Sequence, residues 1–160
     1  MLLSDKNIEL TEELIEKEHI GYILAILPYK SDFDKHYSLI KHLDIPYSVM
    51  DYGDSHYPIF DEKMIGDFNR ESAVIDQFAR SHDRKNVLVF CNNGYQRSIP
   101  FLTYFLTQYH KDEYPDIDTA LNMILIQSDK LNFNTNKPLY LESISSIFRN
   151  SNLLDNNIRL

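Results

Sequence analysis

Two continuous apolar runs stand out in the pattern of hydrophobic and polar positions, and both predict buried strands. Ile20–Leu27 is rich in β-branched and aromatic residues and is followed by Pro28, which is typical of a strand end. Asn86–Phe90 does not alternate with polar residues, which favours the centre of a sheet covered on both faces. A third strand is predicted at Pro46–Met50, followed by a loop over Asp51–Asp61.

Helical periodicity and capping residues predict six helices between and after these strands. One is predicted before the strand at Asn86, from an apolar face made of Ile65, Phe68, Ala73, Ile75, Phe78 and Ala79. The others are predicted at Thr11–Glu18, at Phe33–Leu43 with an N-cap at Ser31-Asp32, at Ser98–Tyr109, at Asp116–Gln127 and at Lys137–Phe148. Strands that alternate with helices and end in a helical block predict an α/β fold. Its central, mainly parallel sheet of about four to five strands is flanked by helices.

Composition favours one globular domain over residues 1–160, with a tail at 150–160 that is expected to fray. The 160 residues are 43% hydrophobic and 25% charged, and only 4 Gly and 6 Pro interrupt them. A net charge of −8 argues against general binding to nucleic acid or to an anionic membrane. No apolar run is long enough to span a bilayer.

Cysteine usage and the first residues of the chain favour an intracellular, reducing location, cytoplasmic or nuclear. Cys91 is the one cysteine, so no disulfide can form within these residues. Charge follows Met1 closely, so no signal-peptide core is expected there. The six histidines show no ligand spacing, and no metal site is predicted. The oligomeric state stays open.

One stretch carries a pattern suited to phosphate chemistry. The predicted strand Asn86–Phe90 leads into Cys91, a helix is predicted after Arg97, and Gly94 lies in the loop between them. A short loop between a strand and a helix can turn its N–H groups towards a tetrahedral oxyanion, and glycine permits the tight bend. The phosphate-binding residues predicted here are Asn92, Asn93, Gly94, Tyr95, Gln96 and Arg97.

Three residues of this stretch are predicted to be catalytic. The planar guanidinium of Arg97 can hold two phosphate oxygens. A cysteine beside an arginine and a helix N-terminus is favoured as the reactive thiolate, which makes Cys91 the candidate nucleophile. The Ser98 hydroxyl is placed to hydrogen-bond the sulfur and stabilise it as a leaving group. The alternative interpretation makes Cys91 a buried apolar residue and Arg97 a surface charge.

This loop resembles that of the cysteine-based protein tyrosine phosphatases, His-Cys-x5-Arg-Ser/Thr, and above all the compact dual-specificity branch. The matching residues are Cys91-Asn92-Asn93-Gly94-Tyr95-Gln96-Arg97-Ser98. A weaker, pattern-level resemblance extends over about Glu18–Phe148. The resemblance implies a dual-specificity phosphatase-like fold. It also implies two-step hydrolysis of a phosphorylated protein through a phosphocysteine, without a metal or other cofactor.

The resemblance further implies an aspartate as general acid, on a loop that precedes the cysteine. Counting forward from Tyr47 favours Asp54, whereas counting back from Cys91 points nearer to Asp61. Asp51 remains a third candidate. The chain departs from the family pattern at Phe90, where the family usually has the histidine that positions the cysteine, and this places the reaction rate in doubt.

Three functions are compatible with this loop. The first is a protein phosphatase that acts on phosphotyrosine, with phosphoserine and phosphothreonine as further substrates. The second is a phosphatase for an inositol phosphate or an RNA 5′-phosphate, against which the uncharged loop residues Asn92, Asn93, Tyr95 and Gln96 argue. The third is a weakly active module that binds a phosphorylated protein partner.

Overall fold

The computed structural model describes residues 2–4, 10–51, 62–91, 97–130, 144, 145 and 148. In chain order, its strands and helices are β1 (Leu2–Ser4), α1 (Glu12–Lys17), β2 (Ile20–Leu27), α2 (Lys30–Tyr37), a 3₁₀ turn (Lys41–Leu43), β3 (Tyr47–Asp51), α3 (Glu62–Ser81), β4 (Asn86–Cys91), α4 (Ser98–Tyr109) and α5 (Ile117–Lys130).

The four described strands form one sheet in the order β1-β4-β2-β3, and every neighbouring pair is parallel. Cys91 at the end of β4 pairs with Ile26 of β2. The next residue of β2, Leu27, pairs with Asp51 at the end of β3. The strands therefore all end at one edge, which we call the carboxyl edge. Open parallel sheets bind their ligands at this edge. The predicted fold class, α/β with a mainly parallel sheet and flanking helices, is confirmed.

Helices cover both faces of the sheet. One face of β2 packs with α1, α2 and Phe90 of β4 in a cluster that includes Phe33. The other face packs with α3, α4 and α5 in a larger cluster that includes Cys91, Phe68 and Phe101. The central helix α4 is buried over ten consecutive residues. Among the described helices, none combines the length and apolarity that a membrane span needs.

The apolar runs were predicted most accurately. The strand Ile20–Leu27 and the helix Ser98–Tyr109 have the predicted bounds. The other two predicted strands end one residue later than expected, at Asp51 and at Cys91. Cys91 is therefore the last residue of a strand and not the first residue of a loop. Pairing with β2 extends both strands, and sequence pattern alone cannot show this.

The prediction for α2 was wrong at both ends. The helix begins at Lys30, with Tyr29 in the N-cap position and no side-chain cap, so the predicted cap at Ser31-Asp32 is not used. It also ends at Tyr37 instead of continuing to Leu43. The chain there leaves the helix, forms a 3₁₀ turn and takes the left-handed conformation at Asp44, with φ 49°.

The buried face of α3 also differs from the prediction. Ile65, Phe68 and Ile75 are buried as predicted, but Ala73 and Ala79 are exposed. Glu71 and Ser72 are buried where the sequence favours solvent-facing residues. The large apolar side chains of α3 were too few to show which side of the helix faces the core. Alanine and polar residues occur on both sides, so they do not help to define it.

Smaller differences concern α1, which spans Glu12–Lys17 with Thr11 as its N-cap, and α5, which ends at Lys130 and not at Gln127. α5 starts at Ile117, because Asp116 caps it: its Oδ1 accepts a hydrogen bond from the Thr119 N–H at 2.7 Å. This bond lowers the pKa of the Asp116 carboxyl. β1 was not predicted, since three residues carry no usable pattern. The predicted helix Lys137–Phe148 lies largely outside the described residues, and the tail at 150–160 lies wholly outside them.

Two glycines provide a matched test of the packing. Gly21→Ala is expected to lower the free energy of unfolding by about 1–3 kcal/mol, because overpacking is destabilising. Its Cβ would lie 2.8 Å from Lys85 Cβ and 2.9 Å from Phe78 Cζ. Gly66→Ala, in helix α3 with nothing within 4 Å of the new Cβ, is expected to raise it by about 0.5–1 kcal/mol. Urea unfolding of both variants checks this, and a shift of the same sign in both contradicts the described packing.

Candidate active site

Strand β4 and helix α4 bring Cys91 and Ser98 together at the carboxyl edge. The Cys91 Sγ and Ser98 Oγ atoms are 3.3 Å apart, within hydrogen-bonding distance for sulfur. Both residues are almost completely buried, with exposures of 1% and 0%. The two residues are seven positions apart in sequence, so the end of β4 and the start of α4 lie next to each other. A hydroxyl at this distance can donate a hydrogen bond to a thiolate and stabilise it.

Arg97 lies directly before the first residue of α4 and is also buried, with 7% of its surface exposed. Arginine is almost never buried this deeply unless it is paired. The sequence alternative is therefore wrong in making Arg97 a surface charge, whereas its other part, a buried Cys91, agrees with the structure. Its position places a permanent positive charge at the start of α4, where the helix dipole also favours an anion.

Several predicted site residues lie outside the described part of the chain. These are the loop residues Asn92, Asn93, Gly94, Tyr95 and Gln96, and the two general-acid candidates Asp54 and Asp61. Their assignments stay predictions.

Asp51 is the one general-acid candidate within the described ranges. It is the exposed last residue of β3 and lies at the carboxyl edge. β2 separates β3 from β4, so two strand spacings, about 10 Å, separate Asp51 from the Cys91 strand.

Phe90 points to the opposite side of the sheet from Cys91. It is buried in the cluster on the α2 side, where its ring centroid lies 6.2 Å from that of Phe33 and 6.4 Å from that of His36. A phenyl ring cannot supply the hydrogen bond of a histidine. This position therefore contributes packing beneath the site.

The sequence interpretation missed two residues at this edge. Only Pro28 and Tyr29 connect β2 to α2, so Tyr29 and Lys30 lie just beyond the strand that neighbours Cys91. Both are exposed. The sequence could have indicated them, because few residues follow the predicted strand end at Leu27 before the next helix. The cap predicted at Ser31 placed the start of that helix too late, so Tyr29 and Lys30 were not considered.

Comparison with known proteins identifies the fold. Neither a protein-family model nor a curated protein matches the chain. Among solved structures, human DUSP28 matches with a TM-score of 0.67 and 13% identity, over 96% of this chain and 88% of that chain. A mouse putative dual specificity phosphatase matches with a TM-score of 0.63 and 13% identity, over 97% and 84%. The human tyrosine phosphatase-like serine/threonine/tyrosine-interacting protein matches with a TM-score of 0.59 and 18% identity, over 95% and 91%.

The chain therefore has the fold of the cysteine-based protein tyrosine phosphatases. Within that class it has the fold of the dual-specificity branch, which confirms the resemblance indicated by the segment from Cys91 to Ser98.

Proposed function

We propose that this protein is a cysteine-dependent phosphatase that removes phosphate from phosphotyrosine in proteins, with phosphoserine and phosphothreonine as further substrates. The observation that carries the proposal is the 3.3 Å contact between the Cys91 sulfur and the Ser98 hydroxyl, beside a buried Arg97 at the start of α4. A nucleophile, a hydroxyl that stabilises it and a fixed cation are the groups that phosphoryl transfer through cysteine requires.

In the first step of the proposed reaction, the Cys91 thiolate attacks phosphorus. A sulfur–phosphorus bond forms, and the bond from phosphorus to the substrate oxygen breaks with its electrons on that oxygen. Arg97 and the loop amides stabilise the equatorial phosphate oxygens. In the second step, water attacks the phosphocysteine, phosphate leaves and the thiolate is regenerated. The Ser98 hydroxyl stabilises the developing thiolate as it departs.

An aspartate completes the proposed mechanism as general acid and base. It protonates the substrate oxygen as that oxygen leaves, and then accepts a proton from the attacking water. Asp54 is the favoured candidate from the sequence, followed by Asp61 and then Asp51.

The asparagine variants Asp51→Asn, Asp54→Asn and Asp61→Asn are expected to identify this group. The variant that removes it lowers kcat on a phosphotyrosine peptide by about 10²–10⁴. Its loss on para-nitrophenyl phosphate is smaller, because nitrophenolate leaves without protonation. Steady-state kinetics on both substrates checks this. Equal losses on the two substrates in all three variants contradict the assignment.

A second candidate function is binding of a phosphorylated protein with slow or no turnover. Phe90 favours it, because the histidine expected next to the cysteine is replaced by a buried phenyl ring. One structural neighbour is named as a tyrosine phosphatase-like interacting protein. The same phosphate loop serves both functions, so only measured turnover separates them.

A substrate panel tests the proposal. The wild-type protein is assayed with para-nitrophenyl phosphate, with phosphotyrosine, phosphoserine and phosphothreonine peptides, with a polyphosphorylated inositol and with an RNA 5′-triphosphate, each with and without a metal chelator. We expect chelator-resistant turnover that is highest on the phosphotyrosine peptide. A preference for the inositol or RNA substrate contradicts the proposed substrate class, and tight phosphopeptide binding without turnover favours the second candidate function.

A further inference from the structure

The exposed pair Tyr29-Lys30 lies at the carboxyl edge, just past the end of β2, the strand that neighbours the Cys91 strand. β2 is hydrogen-bonded to β4, and its residue Ile26 pairs with Cys91. The chain then needs only Pro28 and Tyr29 to pass from the strand to α2. Lys30 is four positions after Ile26, so their Cα atoms are at most about 15 Å apart. A bound peptide covers that distance with about four to five extended residues.

The backbone holds these two side chains at a fixed place. Tyr29 has extended dihedral angles, φ −136° and ψ 140°, and its carbonyl accepts a hydrogen bond from the Asp32 N–H at 3.1 Å. Pro28 before it restricts the chain further. The Tyr29 side chain is nevertheless 42% exposed, although most large aromatic residues of this chain lie in the two clusters.

These residue types are unfavourable for starting a helix. Small polar side chains are preferred in the N-cap position and acidic ones in the first turn. α1 follows both rules: Thr11 Oγ1 accepts a hydrogen bond from the Leu14 N–H at 3.2 Å, and Glu12 and Glu13 follow. α2 has an acidic residue in its first turn, Asp32, but it has a tyrosine that does not cap it and a lysine as its first residue. Departures of this kind are expected where a residue is kept for function.

Lys30 is exposed and carries a positive charge. Within the described ranges, Lys30 forms no ion pair, whereas Lys35 on the same helix lies 4.0 Å from Asp32. The chain as a whole carries a net charge of −8. An exposed cation next to the site is therefore a local departure from an acidic background, and it complements an anionic group on a substrate.

We infer that Tyr29 and Lys30 form a recognition site for the peptide that flanks the phosphorylated residue, in which Lys30 selects acidic side chains and Tyr29 packs against the peptide. This inference rests on the proposed function, and it narrows the substrates to phosphoproteins with acidic residues near the phosphorylated position. The ammonium group of Lys30 pairs with a carboxylate within about five residues of that position. The tyrosine ring supplies apolar contact area at low entropic cost.

The test measures binding of two phosphotyrosine peptides that differ only in their flanking residues, glutamates in one and glutamines in the other. Dissociation constants are measured in the Cys91→Ser background, so that turnover is not needed, and kcat/KM is measured in parallel with active Cys91. The added changes are Lys30→Gln, Lys30→Glu and Tyr29→Ala. The matched controls are Lys35→Gln, at the other end of the same helix, and Leu39→Ala, an exposed apolar residue beyond it.

We expect Lys30→Gln to lower the preference for the glutamate peptide by about fivefold, the upper end for one exposed ion pair. Lys30→Glu lowers it further, and added salt reduces the wild-type preference. Tyr29→Ala weakens binding of both peptides by about fivefold. The two control variants keep the preference and the affinity of the parent protein.

The inference is overturned if Lys30→Gln leaves the preference unchanged, or if Lys35→Gln lowers it equally. Binding that Tyr29→Ala does not weaken overturns the role of the tyrosine. These outcomes differ from a failure of the proposed function, which shows as peptide binding with the expected Lys30 dependence but without turnover by the wild-type protein. Tighter binding of a polyphosphorylated inositol than of either peptide overturns the inference together with the proposed substrate class.

Discussion

Cys91→Ser lowers kcat on para-nitrophenyl phosphate and on phosphopeptides by at least about a thousandfold if the proposed mechanism is correct. The serine hydroxyl fits the same space next to Ser98, but at neutral pH it is a far weaker nucleophile than a thiolate. Binding of the phosphopeptide is expected to persist, because Arg97 and the loop amides remain. Steady-state kinetics and a binding titration on the same preparation measure the two effects separately.

The chain offers a clean control for this prediction. Cys91 is its one cysteine, so a thiol-alkylating reagent that abolishes activity acts at that residue. Circular dichroism and thermal unfolding show whether the variant remains folded. Activity that survives both the substitution and alkylation contradicts the role of Cys91 as nucleophile.

Arg97→Lys is expected to lower kcat by about 10²–10³, the usual cost of removing a preorganised group that stabilises the transition state. Lysine keeps the positive charge, but it cannot offer two parallel N–H donors to the phosphate oxygens. Lysine is also shorter than arginine. Because position 97 is buried at the start of α4, the lysine side chain cannot shift to bring its ammonium group closer to the phosphate. Phosphate is expected to inhibit the variant more weakly than it inhibits the wild-type protein.

Arg84→Lys is the matched control for this change. Arg84 is exposed in the turn before β4, at the opposite end of that strand from the site, so its replacement is expected to leave kcat unchanged. Thermal unfolding of both variants separates a loss of catalysis from a loss of folding. Equal activity in the Arg97 and Arg84 variants means that the planar guanidinium of Arg97 does not take part in the reaction.

The elements that were predicted well are those with residues in the sequence that mark where they begin or end. β2 is a continuous apolar run that Pro28 terminates, and α4 is an apolar helix with Pro100 in its first turn. α2 was predicted poorly, because its start lacks a capping side chain and neither glycine nor proline marks its end at Tyr37. β1 forms by pairing with β4, and this long-range contact leaves no trace in three residues.

The candidate site was predictable in part, because its central residues lie close together in the sequence. The spacing from Cys91 to Ser98 places both residues at one strand–helix junction, and the structure has them 3.3 Å apart. The burial of Arg97 was not predictable, since arginine in a loop is ordinarily exposed. The choice among Asp51, Asp54 and Asp61 depends on the path of a loop whose length the sequence gives but whose direction it does not. Tyr29 and Lys30 emerged only from the pairing of β2 with β4.

Mass spectrometry of the wild-type protein, after rapid acid quenching during turnover of para-nitrophenyl phosphate, shows whether Cys91 carries the phosphoryl group during the reaction. We expect the peptide containing Cys91 to gain the mass of one phosphoryl group, and this modified peptide to be absent without substrate and in Cys91→Ser. Turnover with a phosphoryl group on another residue, or with none on Cys91 at any quench time while product accumulates in a burst, contradicts this expectation.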